Sequence, residues 1–482
     1  MQKNTGAYTQ ASLQFGANVA ELAGKKQGLS GTFNITSLQA EYDFGIASLL
    51  SSSSWFDNDA ERHSEQSAFV GGMPIGRTNL VSTEVFTQEL RLVSQLNGAI
   101  QYVAGFYYED VERDDVTLHY STADLDKVLD FIGLPFGPEN PLFDVQTVKR
   151  PLRQAAFYTE LSYQLSERWS LTGGLRFFDY EKEDYRKASG SLTGGFNVVT
   201  DSITEEDGTS SKVNLSYRLH DGSLLYTQWA EGFRLGTGIT PPPASLCDVN
   251  NDGVLDGTSV VFRDSLASDT TENIEFGIKL GLFDKKMQVN AAVYQVDWKG
   301  IPLLVAAGKL PSQTEQVCFF EALINAGEAR SQGIEVETTY QFSEQLLLSV
   351  GGAYTRVKLT DLLPEVAGLF AVGDRLPSSP EYSINVSLQY DFELKGYPSY
   401  FSVAYSYVGE YHNQAGERGD KSGAYNQLNL NGGISLGQFE VDLHVLNLTN
   451  DESLTHVDVL TFDTRAYRLR PRTVGLNVQY KF

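Results

Sequence analysis

Ten residues near the middle of the chain hold its densest set of potential ligands. The run Cys247-Asp-Val-Asn-Asn-Asp-Gly-Val-Leu-Asp256 sets oxygen donors at alternate positions, Asp248, Asn250 and Asp252, with Asp256 four residues on. Gly253 allows the sharp turn that such a loop needs. This spacing is that of the first nine positions of a calcium loop. The twelfth position is Ser259 rather than Glu, and no flanking helices are evident. The same residues also suit an Asp/Asn/Gly-rich turn in water. Cys247 and Cys318 are the only 2 cysteines. Both fall in long loops expected on the same side of the molecule, so a disulfide is expected between them, the alternative being two free thiols. The 6 histidines, His63, His119 and His412 among them, show no metal spacing. Gly71 to Thr78 brushes the phosphate-loop pattern, but Arg77 stands where Lys belongs and no strand–loop–helix frame surrounds it. There is no Gly-x-Ser-x-Gly and no His-Glu-x-x-His, so no catalytic residue and no enzyme activity is expected, and calcium is the one cofactor considered.

The elements that must position these groups are strands. Thr473 to Phe482 reads T-V-G-L-N-V-Q-Y-K-F. Val474, Leu476, Val478, Tyr480 and Phe482 fall on one face, and Thr473, Asn477, Gln479 and Lys481 on the other. One apolar face for lipid, one polar face for a lumen and a terminal aromatic residue fit the last strand of an outer-membrane barrel. A soluble sandwich strand alternates the same way. Similar alternation recurs at Phe86, Leu90 and Leu92 against Glu89 and Arg91, at Phe157 and Leu161 against Glu160, and at Ile274, Phe276 and Ile278 against Glu275 and Lys279. It recurs again at Ile334 and Val336 against Glu335 and Glu337. These inward charges suit either contact with an interior domain or pairing between strands.

Loop lengths point the same way. Short turns are expected near 44–45, 96–98, 166–168, 220–222, 283–286, 342–344, 393–399 and 437. Long polar loops are expected near 58–83, 111–150, 183–209, 237–268, 302–326, 359–379, 412–424 and 451–466. Strict alternation of short and long connections is what a barrel with a periplasmic and an external end requires. Inside the 111–150 loop, Leu125, Val128, Leu129 and Ile132 have the spacing of a short amphipathic helix, with an irregular loop as the alternative. Roughly 17 strands are expected from residue 32 onward, an odd number where bacterial single-chain barrels have even ones.

Composition bounds the function. The net charge of −24 argues against nucleic acid, which needs clustered Lys and Arg. Hydrophobic content is 41%, and no apolar run is long enough for a membrane helix. Barrel strands escape that test, because half their residues are polar. No signal peptide follows Met1.

Several segments, taken together and in order, resemble the barrel domain of TonB-dependent outer-membrane receptors. They are Tyr226-Thr-Gln-Trp-Ala-Glu-Gly-Phe-Arg-Leu-Gly236, Glu272-Asn-Ile-Glu-Phe-Gly-Ile-Lys279 and the Val-Asp-Trp-Lys-Gly within Asn290 to Ile301. Asn325-Ala-Gly-Glu-Ala-Arg-Ser-Gln-Gly-Ile-Glu-Val-Glu337, Leu443-His-Val-Leu-Asn-Leu-Thr-Asn450 and Arg470-Pro-Arg-Thr-Val-Gly-Leu-Asn477 continue the series, and Phe86 to Tyr108 resembles an earlier hairpin. The resemblance implies one all-β, antiparallel transmembrane barrel over 1–482, in the outer membrane of a Gram-negative bacterium. Family barrels have about 22 strands and hold a plug; neither plug nor TonB-binding segment is seen here, and about five strands fewer. A truncated start at an internal Met is therefore expected. The implied role is uptake of a scarce nutrient, a ferric siderophore first, bound by external loops. The implied partners are lipid, that nutrient, and, in a full-length form, plug and TonB. Glu231 and Arg234 would sit at the outer rim, within reach of substrate. A passive porin and a soluble β-rich binding module are the alternatives.

Overall fold

The structure is a computed structural model that describes residues 28–65, 75–121, 142–190, 198–219, 222–239, 241–242, 244–308, 318, 321–459 and 464–481. The alternating segments are strands. In chain order the first are β1 (Gly28–Asp43), β2 (Ala47–Glu65), β3 (Ile75–Ser94), β4 (Ile100–Ser121), β5 (Leu142–Lys149) and β6 (Leu152–Gln164). Next come β7 (Trp169–Gly190), β8 (Val198–Arg218), β9 (Leu224–Arg234), β10 (Thr237–Gly238), β11 (Ser265–Leu266) and β12 (Asp269–Leu282). Then follow β13 (Met287–Ala306), β14 (Glu321–Gln341), β15 (Leu346–Leu362), β16 (Tyr382–Leu394), β17 (Tyr397–Val408) and β18 (Tyr411–Gln414). The last are β19 (Arg418–Ser422), β20 (Tyr425–Leu436), β21 (Phe439–Leu446), β22 (Leu454–Val459), β23 (Thr464–Arg468) and β24 (Thr473–Tyr480).

Eighteen of these form one antiparallel sheet. Each pairs with its neighbour in sequence, apart from the small loop strands, which pair among themselves. β5 and β6 both lie between β4 and β7, as two collinear pieces broken at Pro151. Proline cannot donate to a ladder, so it interrupts the pairing there. The eighteen strands therefore occupy seventeen places, the number expected. Among the described residues, β1 pairs only with β2 and β24 only with β21.

One face of this sheet is an apolar band. Phe106, Phe157, Leu161, Leu175, Phe177, Phe276, Leu443 and Leu476 are all exposed on it. In water each would cost roughly 1.5–3 kcal/mol relative to burial; against lipid they are at home. Aromatic clusters bound the band. Trp55, Phe86 and Tyr108 form one near the long-loop end, with ring centroids 5.3 and 6.4 Å apart. Trp169–Tyr217, Phe283–Tyr340–Phe342 and Phe439–Tyr480 stand near the short turns. Such girdles belong at the two interfaces of a bilayer.

The long loops are shorter than expected, because the strands run on past the membrane. A crossing needs about 9–11 residues, yet β4 and β7 each have 22 and β14 has 21. Stretches expected as loops at 58–65, 75–83, 111–121 and 183–190 are strand. Beyond the lipid both faces can be polar, so the apolar alternation stops while the ladder continues. Residues 122–141 are outside the described residues, and with them most of the expected helix. Ile75 to Thr78 of the Gly71–Thr78 run lie in β3, a strand and not a phosphate loop, while residues 71–74 are outside the described residues.

Candidate functional site

The mouth of the barrel is built where β9 leaves the wall. β8 and β9 pair only as far as Lys212 and Ala230, after which β9 continues with β12 alone. The Glu231 carboxylate takes the Ser211 amide at 2.9 Å. The chain then folds against the inner face of β7. Phe233 stacks on Phe178, ring centroids 3.8 Å apart. The Gly236 amide donates to the Tyr180 hydroxyl at 2.9 Å, and the Gly238 amide to Asp184 Oδ2 at 2.7 Å. Lys182 Nζ donates to Thr237 Oγ1 at 2.6 Å. Tyr180 is buried by this contact and is also bonded to Ser268 Oγ at 3.0 Å. A β-carbon at Gly238 would lie 2.3 Å from the Asp184 side chain, so the close approach depends on glycine.

Above this contact the loops and the ends of β13, β14 and β15 make a compact cap with its own core. Leu255, Val260, Ile301, Ile324, Leu359 and Val366 are buried together around the two cysteines. Cys247 and Cys318 are joined as a disulfide, S–S 2.02 Å. It ties the 235–268 segment to the connection between β13 and β14. Elsewhere the wall has lipid on one side and lumen on the other, so the cap is where apolar side chains can pack against one another.

The acidic turn sits at the edge of the cap. Asp248 Oδ1 accepts the Asp252 amide at 2.9 Å and Oδ2 accepts the Gly253 amide at 3.0 Å. Asn250 Nδ2 donates to Asp252 Oδ2 at 2.9 Å, and the Val249 amide to Asp256 Oδ2 at 3.4 Å. Asp248 and Asp256 are buried while Asn250 and Asp252 are exposed. The four share one turn, folded around backbone amides. Among the described residues, no group of three His, Cys, Asp or Glu is placed to hold a metal ion. Calcium here rests on the spacing alone.

Arg234 and Glu231 are both committed to structure. Arg234 Nε donates to Asp269 Oδ2 at 2.8 Å, and its guanidinium lies 5.6 Å from the centre of the Trp298 ring. The Trp298 indole donates to the other Asp269 oxygen at 3.0 Å. The histidines are scattered: His63 bonds Thr78, His119 bonds Asp144 and His412 lies in β18.

Only some of the inward charges form ion pairs among the described residues. Arg91 bonds Glu89 at 2.7 Å, and Lys212 meets Glu160. A feature missed by the sequence reading organises them. Tyr158 lies over Gly105, Tyr226 over Gly277, Tyr294 over Gly333 and Tyr400 over Gly433, each directly across a strand pair. The hydroxyls then reach a polar partner: Glu89 for Tyr158, Glu275 at 2.6 Å, Thr355 at 2.9 Å and Asp442 at 2.9 Å. Glycine leaves the hollow that the ring fills, and the carboxylate orients the phenol. A further inward set was also missed: Arg62, Arg77, Lys182 and Arg186. The parity of Arg176, Phe178, Tyr180, Lys182, Asp184 and Arg186 would have revealed part of it, had β7 been followed past residue 182.

The family described as "TonB dependent receptor-like, beta-barrel" matches residues 3–448. The "Pesticin receptor" of Yersinia enterocolitica serotype O:8 / biotype 1B (strain NCTC 13174 / 8081) is 25% identical over 331 residues, which is 68% of this chain and 43% of that protein. The "Metal-pseudopaline receptor CntO" of Pseudomonas aeruginosa (strain UCBPP-PA14) is 23% identical over 336 residues, 68% of this chain and 41% of that protein. Among solved structures, the ferric yersiniabactin uptake receptor FyuA from Yersinia pestis superposes with a TM-score of 0.74 at 17% identity, covering 97% of this chain and 65% of its own. The copper transporter OprC superposes with a TM-score of 0.67 at 16% identity, covering 95% and 67%. The chain thus spans less than half the length of the curated relatives it matches.

Proposed function

Because this chain belongs to the TonB-dependent receptor family and forms the wall of an outer-membrane barrel, we propose that it supplies the receptor face of a transporter for a scarce metal chelate, a ferric siderophore first of all. The observation that carries this reading is the stapled cap. The 236–238 segment folds inward and is fixed to Tyr180 and Asp184 of the inner wall, and a receptor gains from that, because ordering the loops before binding lowers the entropy lost when ligand arrives. Relatives are named as receptors for pesticin and for metal-pseudopaline, and the fold is that of a ferric yersiniabactin receptor. Plug and TonB are proposed partners of a longer form.

The test is binding of iron chelates to the detergent-solubilised chain, followed by quenching of its tryptophans, beside ion conductance in a planar bilayer. Saturable quenching in the micromolar range or below supports the receptor reading. Steady conductance with no saturable binding favours a passive pore and sinks it.

A further inference from the structure

Where β2 to β8 project past the Trp55–Phe86–Tyr108 cluster, the two faces of one wall carry opposite charge. Cross-strand register assigns the faces. Outward, on the side of Phe86, Asp57 stands opposite Glu84, and Glu84 opposite Glu112. Further along, Glu181 stands opposite Glu205, and Asp179 opposite Asp207. Like charges directly opposite repel, so this outer surface is strongly negative. Inward, on the side of Arg91 and Tyr158, the same strands carry Arg62, Arg77, Arg113, Arg150, Lys182 and Arg186.

Most of the inward carboxylate oxygens here already have partners, although Asp144 Oδ1 is buried with none among the described residues. Arg150 takes both Asp115 and Asp184, the latter at 3.0 Å, and Arg113 shares Asp115 at 3.1 Å. Asp144 accepts from His119 and from Gln146. Glu206 accepts the Ser268 amide at 3.3 Å. Among the described residues, four cations are left over. Arg62, Arg77, Lys182 and Arg186 make no ion pair within 4.0 Å among the described residues. Lys182 and Arg186 bond only neutral oxygens, of Thr237 and Gln146, both at 2.6 Å. The Nε of Arg77 is buried with no hydrogen-bond partner among the described residues. Arg62 is its diagonal neighbour, since Ser64 pairs with Arg77 and Arg62 with Asn79.

We infer that this inner wall is an anion-selecting surface, and that the chelate taken at the mouth carries net negative charge, held by Arg62, Arg77, Lys182 and Arg186. The inference rests on the receptor reading and sharpens it. An acidic exterior repels an anion from the barrel flank, while the inner cations, of which Arg77, Lys182 and Arg186 are half-buried and Arg62 is exposed, attract it to the mouth. Guanidinium groups suit the paired oxygens that a deprotonated chelator leaves exposed.

Two probes separate the possibilities: a ferric tris-catecholate, which is trianionic, and a ferric tris-hydroxamate, which is uncharged. Both are titrated against the full chain in detergent, at low and high salt. The variants are R62Q/R77Q and K182Q/R186Q, with retained heat-modifiable mobility on gels as the sign of folding. The expected result is preference for the trianion, weakened by salt and by roughly tenfold or more in each double variant. Binding of the uncharged chelate should not change. Tight binding of the uncharged probe alone, or variants that leave trianion binding intact, overturns the inference and spares the receptor reading. Binding of neither overturns both. Should one variant misfold, the salt dependence and the other variant still decide.

Discussion

Replacing Cys247 and Cys318 by serine should open the cap and leave the barrel standing. The two cysteines are 71 residues apart in sequence. If all of that stretch were free in the unfolded state, the chain-entropy relation gives about 4.4 kcal/mol of stabilisation. Much of it is not free. β12 and β13 remain paired over their length, so of that stretch only residues 248–268 and 307–317 gain freedom when the cap alone opens. That is about thirty-two residues, for which the same relation gives about 3.7 kcal/mol. The open population should then rise by roughly several hundredfold. The assay is limited proteolysis of the double variant in detergent, in a regime where cleavage follows the open population. Cuts should fall within 237–268 and near 307–320 and quicken by about that factor. The barrel's heat-modifiable mobility should be unchanged. Cleavage within about threefold of the parent would refute the claim that the disulfide staples the cap. Loss of the folded band would refute the claim that cap and barrel are separable.

Four further outcomes follow from the geometry. A β-carbon at Gly277 would stand 2.2 Å from the Tyr226 ring, so Gly277→Val should cost about 1–3 kcal/mol in urea unfolding; in a Tyr226→Ala background most of that cost should vanish, and a cost that persists in full would disprove the ring-in-hollow account. Leu443→Arg on the lipid face should cost about 2–4 kcal/mol when refolded into vesicles, whereas Asp442→Asn on the inner face should cost far less; equal costs would mean the faces are misassigned. Asp451, at the outer rim, is partly desolvated, which raises a carboxyl, but bonds from Ser453 and the Asn426 amide outweigh this and hold its pKa below the usual carboxylate range. Its stabilising effect should therefore be complete above its unfolded value and fade as pH falls through the lower folded one; acid-induced exposure of this corner to proteolysis should flatten in Asp451→Asn, and an unaltered profile would exclude it as the group responsible. Calcium at Asp248, Asn250, Asp252 and Asp256 is proposed on spacing alone; millimolar Ca2+ should slow cleavage of the 248–256 turn and EDTA reverse that, while identical rates would leave an amide-held turn.

How much of this was legible depends on what the solvent demands of each stretch. Lipid tolerates no charge, so inside the bilayer Leu443, Val445, Val474 and Leu476 must share a face and Asp442 and Asn477 the other. The seventeen places, their register and the sorting of turns from loops could therefore be read. Past the lipid that demand lapses. Glu183, Asp184 and Arg186 look like loop because nothing in their polarity alternates, yet all three are strand. What differs there is the balance of charge on the two faces, and only register reveals it. The cap was hidden for a different reason. Leu255 and Val260 lie in one connection, Ile324 in β14 and Val366 in the connection after β15, and no local period joins them; most of the partners that bury them come from other elements. The Tyr–Gly joints are hidden likewise, because a glycine in a strand reads as a weakness until the ring across the ladder is known. On the proposed reading, the part of this molecule that meets ligand is thus the part whose sequence carries least local pattern.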